Sequence, residues 1–267
     1  MKRNLPVIAG LLLLLLIHSC EKQTMWDLSP SARFPVVDCI LTNEMKYQEL
    51  RLHQSSERLN EEEAGISGAF IEISEGNNSV VFREDSLEQG RYLSSEPFRA
   101  SAGNIYRLVV RFGDFADTAY AEMTAVTPLE AIDILPNDTL FRYIYHNSPR
   151  ASMMEVYYDW SGDTDYIDRY GAGQASEVFY TLDNIDVEKE FAPDRQIIWF
   201  PQNTWIIRRK YSLSTAHQEF VRALLLETEW RGGLFDAEQG NVPTDFSHGI
   251  RGWFGACMVL SDTTFFK

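Results

Sequence analysis

The chain has 267 residues, of which 13% are aromatic, and a formal net charge of −15 at pH 7. Such an acidic chain is a poor partner for nucleic acid or anionic lipid, because both are negatively charged themselves. The aromatic content and the absence of low-complexity tracts exclude a disordered chain, and the length suits one large domain or two small ones.

The first twenty residues have the pattern of a bacterial lipoprotein signal. Lys2 and Arg3 precede an apolar stretch at 5–17, which is shorter than the roughly 20 apolar residues of a membrane-spanning helix. The stretch ends in a lipobox-like step at Cys20; the alternative is an ordinary cleaved signal with a chance cysteine. We therefore expect residues 1–19 to be removed, Cys20 to be lipidated, and residues 20–33 to form a tether to the membrane.

Residues 34–128 have the short, alternating apolar segments of an all-β domain. A turn at Gly76-Asn77-Asn78 between two apolar segments is typical of a hairpin. This pattern predicts an immunoglobulin-like or carboxypeptidase-regulatory-like β-sandwich. The predicted strands lie within 35–41, 47–55, 69–85 (two strands around the turn), 90–95, 104–112 and 118–126.

Residues 129–267, which follow the Thr127-Pro128 step, are predicted to form a second β-rich domain. Apolar residues at helical spacing over 214–230 predict one long α-helix, with Ser214 or Thr215 as its cap and two glycines after it. The other apolar segments of this half predict strands at 152–160, 177–182, 196–200, 204–211 and 250–262.

Four motifs carry a resemblance to a known family. With them the chain resembles, over essentially its whole length, the Bacteroidetes outer-membrane lipoproteins grouped as domain of unknown function 4249 (DUF4249). The resemblance implies an exported, β-rich lipoprotein of the outer membrane, facing the periplasm or the cell surface and often encoded beside a TonB-dependent transporter. The motifs are Cys20-Glu21-Lys22 after a leucine-rich signal, the Thr127-Pro128 step, the Tyr-rich segment 157–163 with its acidic Gly turn, and the set that follows the helix at 232–236, 241–243 and 252–256.

The segment 161–173 places Asp163, Asp165 and Asp168 near glycines, and alternating carboxylates are ligands that Ca²⁺ prefers. An EF-hand loop that started at Asp163 would need Gly and Glu at its sixth and twelfth positions, where this chain has Asp168 and Gln174. A solvated acidic turn is therefore the favoured interpretation, and we expect no metal or other cofactor.

Cysteines and tryptophans provide the remaining candidate residues. With Cys20 lipidated, Cys39 and Cys257 remain, and an oxidising compartment allows them either to form a disulfide or to stay as buried thiols. Trp205 and Trp230 are candidates for a protein interface, where tryptophan is enriched, with core packing as the alternative.

The sequence contains no Gly-x-Ser-x-Gly, Walker or dinucleotide-binding motif, and its histidines lack metal-binding spacing. We therefore expect a non-enzymatic binding or accessory module for a TonB-dependent transporter, with no catalytic residues. The alternatives are a cell-surface hydrolase of glycans or peptides, because the distances between carboxylates are not readable from sequence, and a structural or adhesive surface protein.

Overall fold

The computed structural model describes residues 33–56, 63–184, 197–230 and 242–267. These residues form fourteen strands and two helices, arranged mainly in one large and one small sheet. The elements are β1 (Pro35–Thr42), β2 (Glu49–Gln54), β3 (Phe70–Glu75), β4 (Asn78–Glu84), β5 (Arg91–Ser94), β6 (Ile105–Phe112), β7 (Phe115–Glu122), β8 (Ile134–Asn137), β9 (Leu140–Tyr143), β10 (Ser152–Asp159), α1 (Thr164–Tyr170), β11 (Gln174–Thr181), β12 (Thr204–Ser212), α2 (Thr215–Glu227), β13 (Arg251–Cys257) and β14 (Val259–Phe266).

The larger sheet has eight strands in the order β13-β1-β2-β5-β4-β3-β6-β7. Alternate residues of β1, namely Val37, Cys39 and Leu41, are buried, because successive side chains of a strand point to opposite faces. At the two ends of the sheet, Thr124 just after β7 forms an isolated bridge with Cys257 of β13. The sheet therefore curls until its end strands nearly meet around one apolar core.

The mainly β fold predicted from the sequence is confirmed. The predicted sandwich has two sheets, whereas here β2 pairs with β5 and joins all of the strands into one hydrogen-bonded sheet. Residues 34–128 supply seven of the eight strands, and β13 comes from the range that was predicted as a second domain. Arg33–Lys267 forms one compact unit.

The smaller sheet has four antiparallel strands in the order β11-β10-β12-β14. One face packs under the β8–β9 hairpin and α1, with a core that includes Met154, Val156, Tyr158, Phe200 and Ile206. The sequence pattern did not predict the hairpin, because β8 is largely exposed and has no apolar alternation. The opposite face, called the outer face below, carries Trp205, Ile207 and Arg209 of β12.

Helix α2 confirms the helix predicted near 214–230. Ser214 is its N-cap, and its hydroxyl accepts a hydrogen bond from the backbone N–H of His217 at 3.3 Å. The Gln218 side chain in the first turns of α2 bonds to Asp183: its amide oxygen accepts from the Asp183 backbone N–H and its amide nitrogen donates to the Asp183 carboxylate. Neither described helix is long and apolar enough to cross a membrane.

The apolar run at 250–262, predicted as one strand, is divided between the two sheets. β13 pairs in parallel with β1, whereas β14 pairs antiparallel with β12. The break falls at Met258, whose backbone N–H donates to the Ser212 hydroxyl at 2.9 Å. The end of the chain therefore connects the eight-stranded and the four-stranded sheets.

Two buried cations on β12 hold the segment that joins β7 to β8. The Lys210 ammonium group, which is fully buried, donates to the Glu130 carboxylate at 2.7 Å and to the Pro128 carbonyl at 3.0 Å. Arg208 donates to both carboxylate oxygens of Asp262 and to the Glu130 carbonyl. These charges are tolerated because each is paired within the protein.

Candidate functional site

Part of the sequence-predicted site lies outside the described residues. This applies to Cys20, the signal at 1–19 and all of the tether at 20–33 except Arg33. It also applies to the Gly-Gly-x-Phe-Asp motif at 232–236. Lipidation at Cys20 therefore stays a prediction.

The three candidate metal-binding aspartates do not form a metal site. Asp163 is the N-cap of α1, and its carboxylate accepts a hydrogen bond from the Tyr166 backbone N–H at 3.0 Å. Asp165 and Asp168 are exposed within the helix. In the part of the chain that the structure describes, no group of three His, Cys, Asp or Glu side chains could hold a metal ion. The acidic turn is the start of a helix, where a carboxylate is favourable.

Cys39 and Cys257 are buried free thiols, so the disulfide considered from the sequence is not formed. The register of β1 and β13 places Cys39 opposite Phe254 and Cys257 opposite Thr42, an offset of about 10 Å at about 3.3 Å per residue. The offset is an odd number of residues, so the two thiols also point to opposite faces. A disulfide usually needs Cα atoms within about 7 Å.

Cys257 contacts His217 where β13 packs against α2, and a thiol beside an imidazole is the arrangement of a cysteine nucleophile and its base. The Cys257 Sγ and His217 Nδ1 atoms are 3.5 Å apart. Burial raises the pKa of the Cys257 thiol to about 12 and lowers the pKa of His217 to about 4. Near pH 7 both groups are neutral, so the reactive thiolate is not formed.

Ser247, His248 and Asp117 also lie together, with the residue types of a hydrolytic triad. Nδ1 of His248 is 2.7 Å from the Ser247 hydroxyl and 3.3 Å from the Asp117 carboxylate. In a triad the serine and the acid contact different ring nitrogens, whereas here both contact the same one. No local motif marks this cluster in the sequence, because 130 residues separate Ser247 from Asp117.

Asp117 instead anchors the loop before β13. Its carboxylate accepts hydrogen bonds from the backbone N–H groups of Thr118, Ser247 and His248, at 2.8, 3.3 and 2.6 Å. Burial opposes ionisation of Asp117, but these hydrogen bonds outweigh it and lower the pKa of the carboxyl group. The cluster therefore has the geometry of a structural anchor.

Trp230, considered from the sequence as an interface residue, belongs to the core. It is 4% exposed and packs against Val221, Leu225 and Leu226 of α2. Its backbone N–H donates to the Leu225 carbonyl at 2.9 Å, which turns the chain back over the helix end. Core packing, the alternative considered from the sequence, is the correct assignment for this residue.

Trp205, the other candidate, is exposed on the outer face of the four-stranded sheet. It is 48% exposed and lies opposite Phe265 of β14, which is 37% exposed; their ring centroids are 4.7 Å apart. The half-buried pair Tyr157 and Ile207 lies beside them on the same face. We call these four residues the aromatic face. Phe265 was missed from the sequence because the last strand was predicted to end at residue 262.

The Arg209 guanidinium next to the aromatic face is neutralised within the protein. The Arg209 guanidinium donates to both carboxylate oxygens of Glu44 at 2.9 Å. It also donates to the Tyr211 hydroxyl, which donates in turn to Glu155. The aromatic face therefore lies between this internally satisfied polar network and the carboxylate of Asp159, which is opposite Trp205 in the sheet.

The sequence matches the family model "Domain of unknown function (DUF4249)" over residues 25–263. The chain belongs to the DUF4249 family. No curated protein matches it significantly. The DUF4249 range includes three residues of the aromatic face, Tyr157, Trp205 and Ile207, and ends two residues before the fourth, Phe265.

The structure gives a physical basis to two of the motifs that carry the resemblance in the sequence. In the Gly252–Ala256 motif, Gly252 has φ of +100°, and a Cβ there would stand 2.0 Å from the Val37 carbonyl oxygen of β1. Only glycine allows β13 to approach β1 this closely. In the Thr127-Pro128 motif, the Pro128 carbonyl accepts the hydrogen bond from the buried Lys210.

Proposed function

We propose that this DUF4249 protein is an outer-membrane-anchored lipoprotein that serves as a non-catalytic accessory module of a TonB-dependent transporter. The lipobox-like step at Cys20 supports the anchor, and the family resemblance supports the transporter as partner. The observation that carries the proposal is the aromatic face, with Trp205 and Phe265 stacked and exposed.

The aromatic face has the composition of an interface centre. Aromatic side chains, above all Trp and Tyr, supply much of the binding energy in protein interfaces, and charged residues are depleted at interface centres. Covering the exposed half of Trp205 would remove about 100 Å² of mostly apolar surface from water, which is worth about 2–3 kcal/mol. A lipid anchor in the same membrane as the partner would raise their effective concentration, so a modest contact would suffice.

The test is a pulldown of the acylated protein from its native outer membrane in mild detergent, with mass spectrometry of the proteins recovered. We expect the wild-type protein to recover a TonB-dependent transporter in stoichiometric amount. The double variant Trp205→Ala/Phe265→Ala should recover at least about tenfold less, because it removes the two exposed aromatic side chains.

The matched control is Leu87→Ala, which removes another exposed apolar side chain, on the β4–β5 loop of the eight-stranded sheet, and should leave recovery unchanged. Thermal melting of each variant checks that the fold is retained. Recovery of the wild-type protein alone would overturn the accessory role. Equal recovery by wild-type and double variant would overturn the aromatic face as the docking surface.

A further inference from the structure

The last strand of the four-stranded sheet leaves one backbone edge open. β14 is an end strand of this sheet and pairs with β12 over eight consecutive residue pairs, without a bulge. Ser212, which continues this register, donates its backbone N–H to the Met258 carbonyl at 3.0 Å. Because bonded and non-bonded pairs alternate along an antiparallel ladder, the backbone groups of Ser261, Thr263 and Phe265 point away from β12.

The Asn43 side chain supports this direction and marks where the open edge begins. It accepts from the Val259 backbone N–H at 2.7 Å and donates to the Val259 carbonyl at 3.3 Å, on the side of β14 away from β12. Beyond Val259, the outward backbone groups have no partner among the described residues. Ser261, Thr263 and Phe265 are all exposed, so their outward N–H and C=O groups face solvent.

Another strand edge of the protein is capped, whereas the edge of β14 is not. On β13, the Asp245 carboxylate accepts from the Phe254 backbone N–H at 3.1 Å. β14 contains neither the Pro or Lys residues nor the bulge that commonly protect an edge strand from pairing. Its only charged residue, Asp262, lies on the covered face of the sheet and is neutralised by Arg208. The edge of β14 is therefore open to a further strand.

A second copy of the same edge is complementary to it. Around a two-fold axis at Thr263, two antiparallel β14 strands place Thr263 opposite itself and Ser261 opposite Phe265 of the second copy. All three residues point outward, so each pair exchanges two backbone hydrogen bonds. A threonine pair is favourable across strands, and the small Ser261 leaves room for the Phe265 ring. Like charges do not meet in this register, because Asp262 lies opposite Thr264 of the second copy.

We propose that two copies of this chain pair through β14 and form a two-fold dimer. Their smaller sheets then join into one continuous sheet with the strand order β11-β10-β12-β14-β14-β12-β10-β11. The two-fold axis is perpendicular to this sheet, so the two aromatic faces lie on the same side of it. The contact is confined to one strand of each copy and belongs to the small, weak class of interfaces. This inference concerns the isolated chain and is independent of a transporter partner.

Register-specific disulfide trapping of the purified full chain in mild detergent tests the proposal. In Thr263→Cys the two new thiols face each other across the axis, with Cα atoms about 5.5 Å apart, which a disulfide can span. Ser261→Cys is the matched variant, since Ser261 is also exposed and lies on the same edge. Its two thiols are about 13 Å apart along the strand. With diamide as oxidant, we expect at least about tenfold more disulfide-linked dimer from Thr263→Cys than from Ser261→Cys.

A mixture of two variants checks the same register a second time. Ser261→Cys mixed with Phe265→Cys should give a disulfide-linked dimer, because these positions lie opposite each other in the proposed pair. The wild-type protein, in which Cys39 and Cys257 are buried, gives the background. Equal trapping of Thr263→Cys and Ser261→Cys would overturn the proposal.

Thr263→Pro tests the open edge itself. The Thr263 N–H points away from β12, and proline is tolerated in edge strands at such positions. Size-exclusion chromatography with multi-angle light scattering should find dimers of the wild-type protein and of Thr263→Ala at concentrations where Thr263→Pro is a monomer, because only proline removes the N–H. Thermal melting checks that the variants keep the fold. The same oligomeric state in all three folded proteins would overturn the proposal.

Salt separates backbone pairing from an ionic contact. The net charge of −15 on each copy opposes association at long range. Screening should therefore strengthen the dimer, and we expect its Kd to fall about threefold or more between about 0.05 M and about 0.5 M salt. A Kd that rises with salt would indicate a contact made by ion pairs and would overturn pairing through the uncharged edge of β14.

Discussion

At the scale of single residues, the buried charges on β12 carry the clearest energetic consequence. Lys210 is fully buried, and it donates to Glu130, which is partly exposed, and to the Pro128 carbonyl. Removing one partner of a buried ion pair costs more than the pair contributes, because the other charge is left uncompensated. The pair therefore holds the Thr127-Pro128 step in place.

We expect Lys210→Met to destabilise the fold by about 3 kcal/mol, because Glu130 loses its partner and Pro128 loses a donor. The double variant Lys210→Met/Glu130→Gln should recover part of this loss. Urea unfolding of the three proteins gives the free energies. Lys46→Met removes a more exposed pair with Glu44 and should cost less than about 1 kcal/mol. Equal costs for the two lysine variants would contradict the anchoring role.

Single residues also show where sequence reasoning stops. Ser214 as a cap follows from a local signal, whereas the burial of Trp230 depends on how the chain turns after α2. The free state of Cys39 and Cys257 depends on the register between β1 and β13, which are more than 200 residues apart. The exposure of Trp205 depends on which face of the four-stranded sheet the hairpin covers. The burial of Trp230, the free state of the two cysteines and the exposure of Trp205 therefore do not follow from local pattern alone.

At the scale of elements, the segment before β13 is held by Asp245. Its carboxylate accepts a hydrogen bond from the backbone N–H of Phe254 at 3.1 Å, on the edge of β13 away from β1. Burial, followed by the nearby Asp117 charge, raises the pKa of Asp245 to about 7. A side chain thus satisfies a strand donor where the curled sheet stops short of closure.

The raised pKa predicts a stability that falls with pH. The folded state keeps the Asp245 proton up to about pH 7, whereas the unfolded chain releases it near pH 4. The stabilisation that this proton gives the folded state is therefore complete below pH 4 and is lost as pH rises through 7. Between pH 5 and pH 8 the free energy of unfolding of the wild-type protein should fall by on the order of 1–2 kcal/mol more than that of Asp245→Asn, after allowance for partial exposure.

Urea unfolding at both pH values measures this difference, with Asp165→Asn at an exposed position as control. The raised pKa would be contradicted if the free energy of unfolding fell by the same amount in the wild-type protein and in Asp245→Asn between the two pH values.

Elements with strong local signals were predicted well. The β3–β4 hairpin follows from alternation around Gly76, and α2 from apolar residues at helical spacing with a cap. The β8–β9 hairpin and α1 escaped prediction because their elements are short, and because β8 and much of α1 are exposed and carry no apolar alternation. β14 escaped because its residues continue the apolar run of β13 without a turn signal.

At the scale of the whole molecule, the last residues of the chain join the two sheets. We expect deletion of residues 251–267 to abolish cooperative unfolding, because it removes β13 and β14 and exposes both cores. Near-ultraviolet circular dichroism and limited proteolysis measure the loss. Deletion of Lys267 alone is the control and should leave both unchanged. A cooperative, protease-resistant truncated protein would show that residues 34–128 fold independently.

The mainly β class and the single long helix could be predicted because each follows from local periodicity. The insertion of β13 beside β1 could not, because a parallel pairing between the two ends of a chain leaves no local signal. For the same reason the Thr127-Pro128 step was predicted as a domain boundary. In the structure β13, which follows this step in the sequence, pairs with β1, which precedes it.

The position of β1 has a mechanical consequence. β1 is the first described strand, and it is held on both sides, by β13 over seven residue pairs and by β2 over five. Tension on the chain before Arg33 acts along β1 and loads both rows of hydrogen bonds in shear. Bonds loaded in shear must break together, whereas bonds peeled from one end break one at a time. We therefore expect β1 to resist tension applied to the chain before Arg33 better than a strand held on one side only.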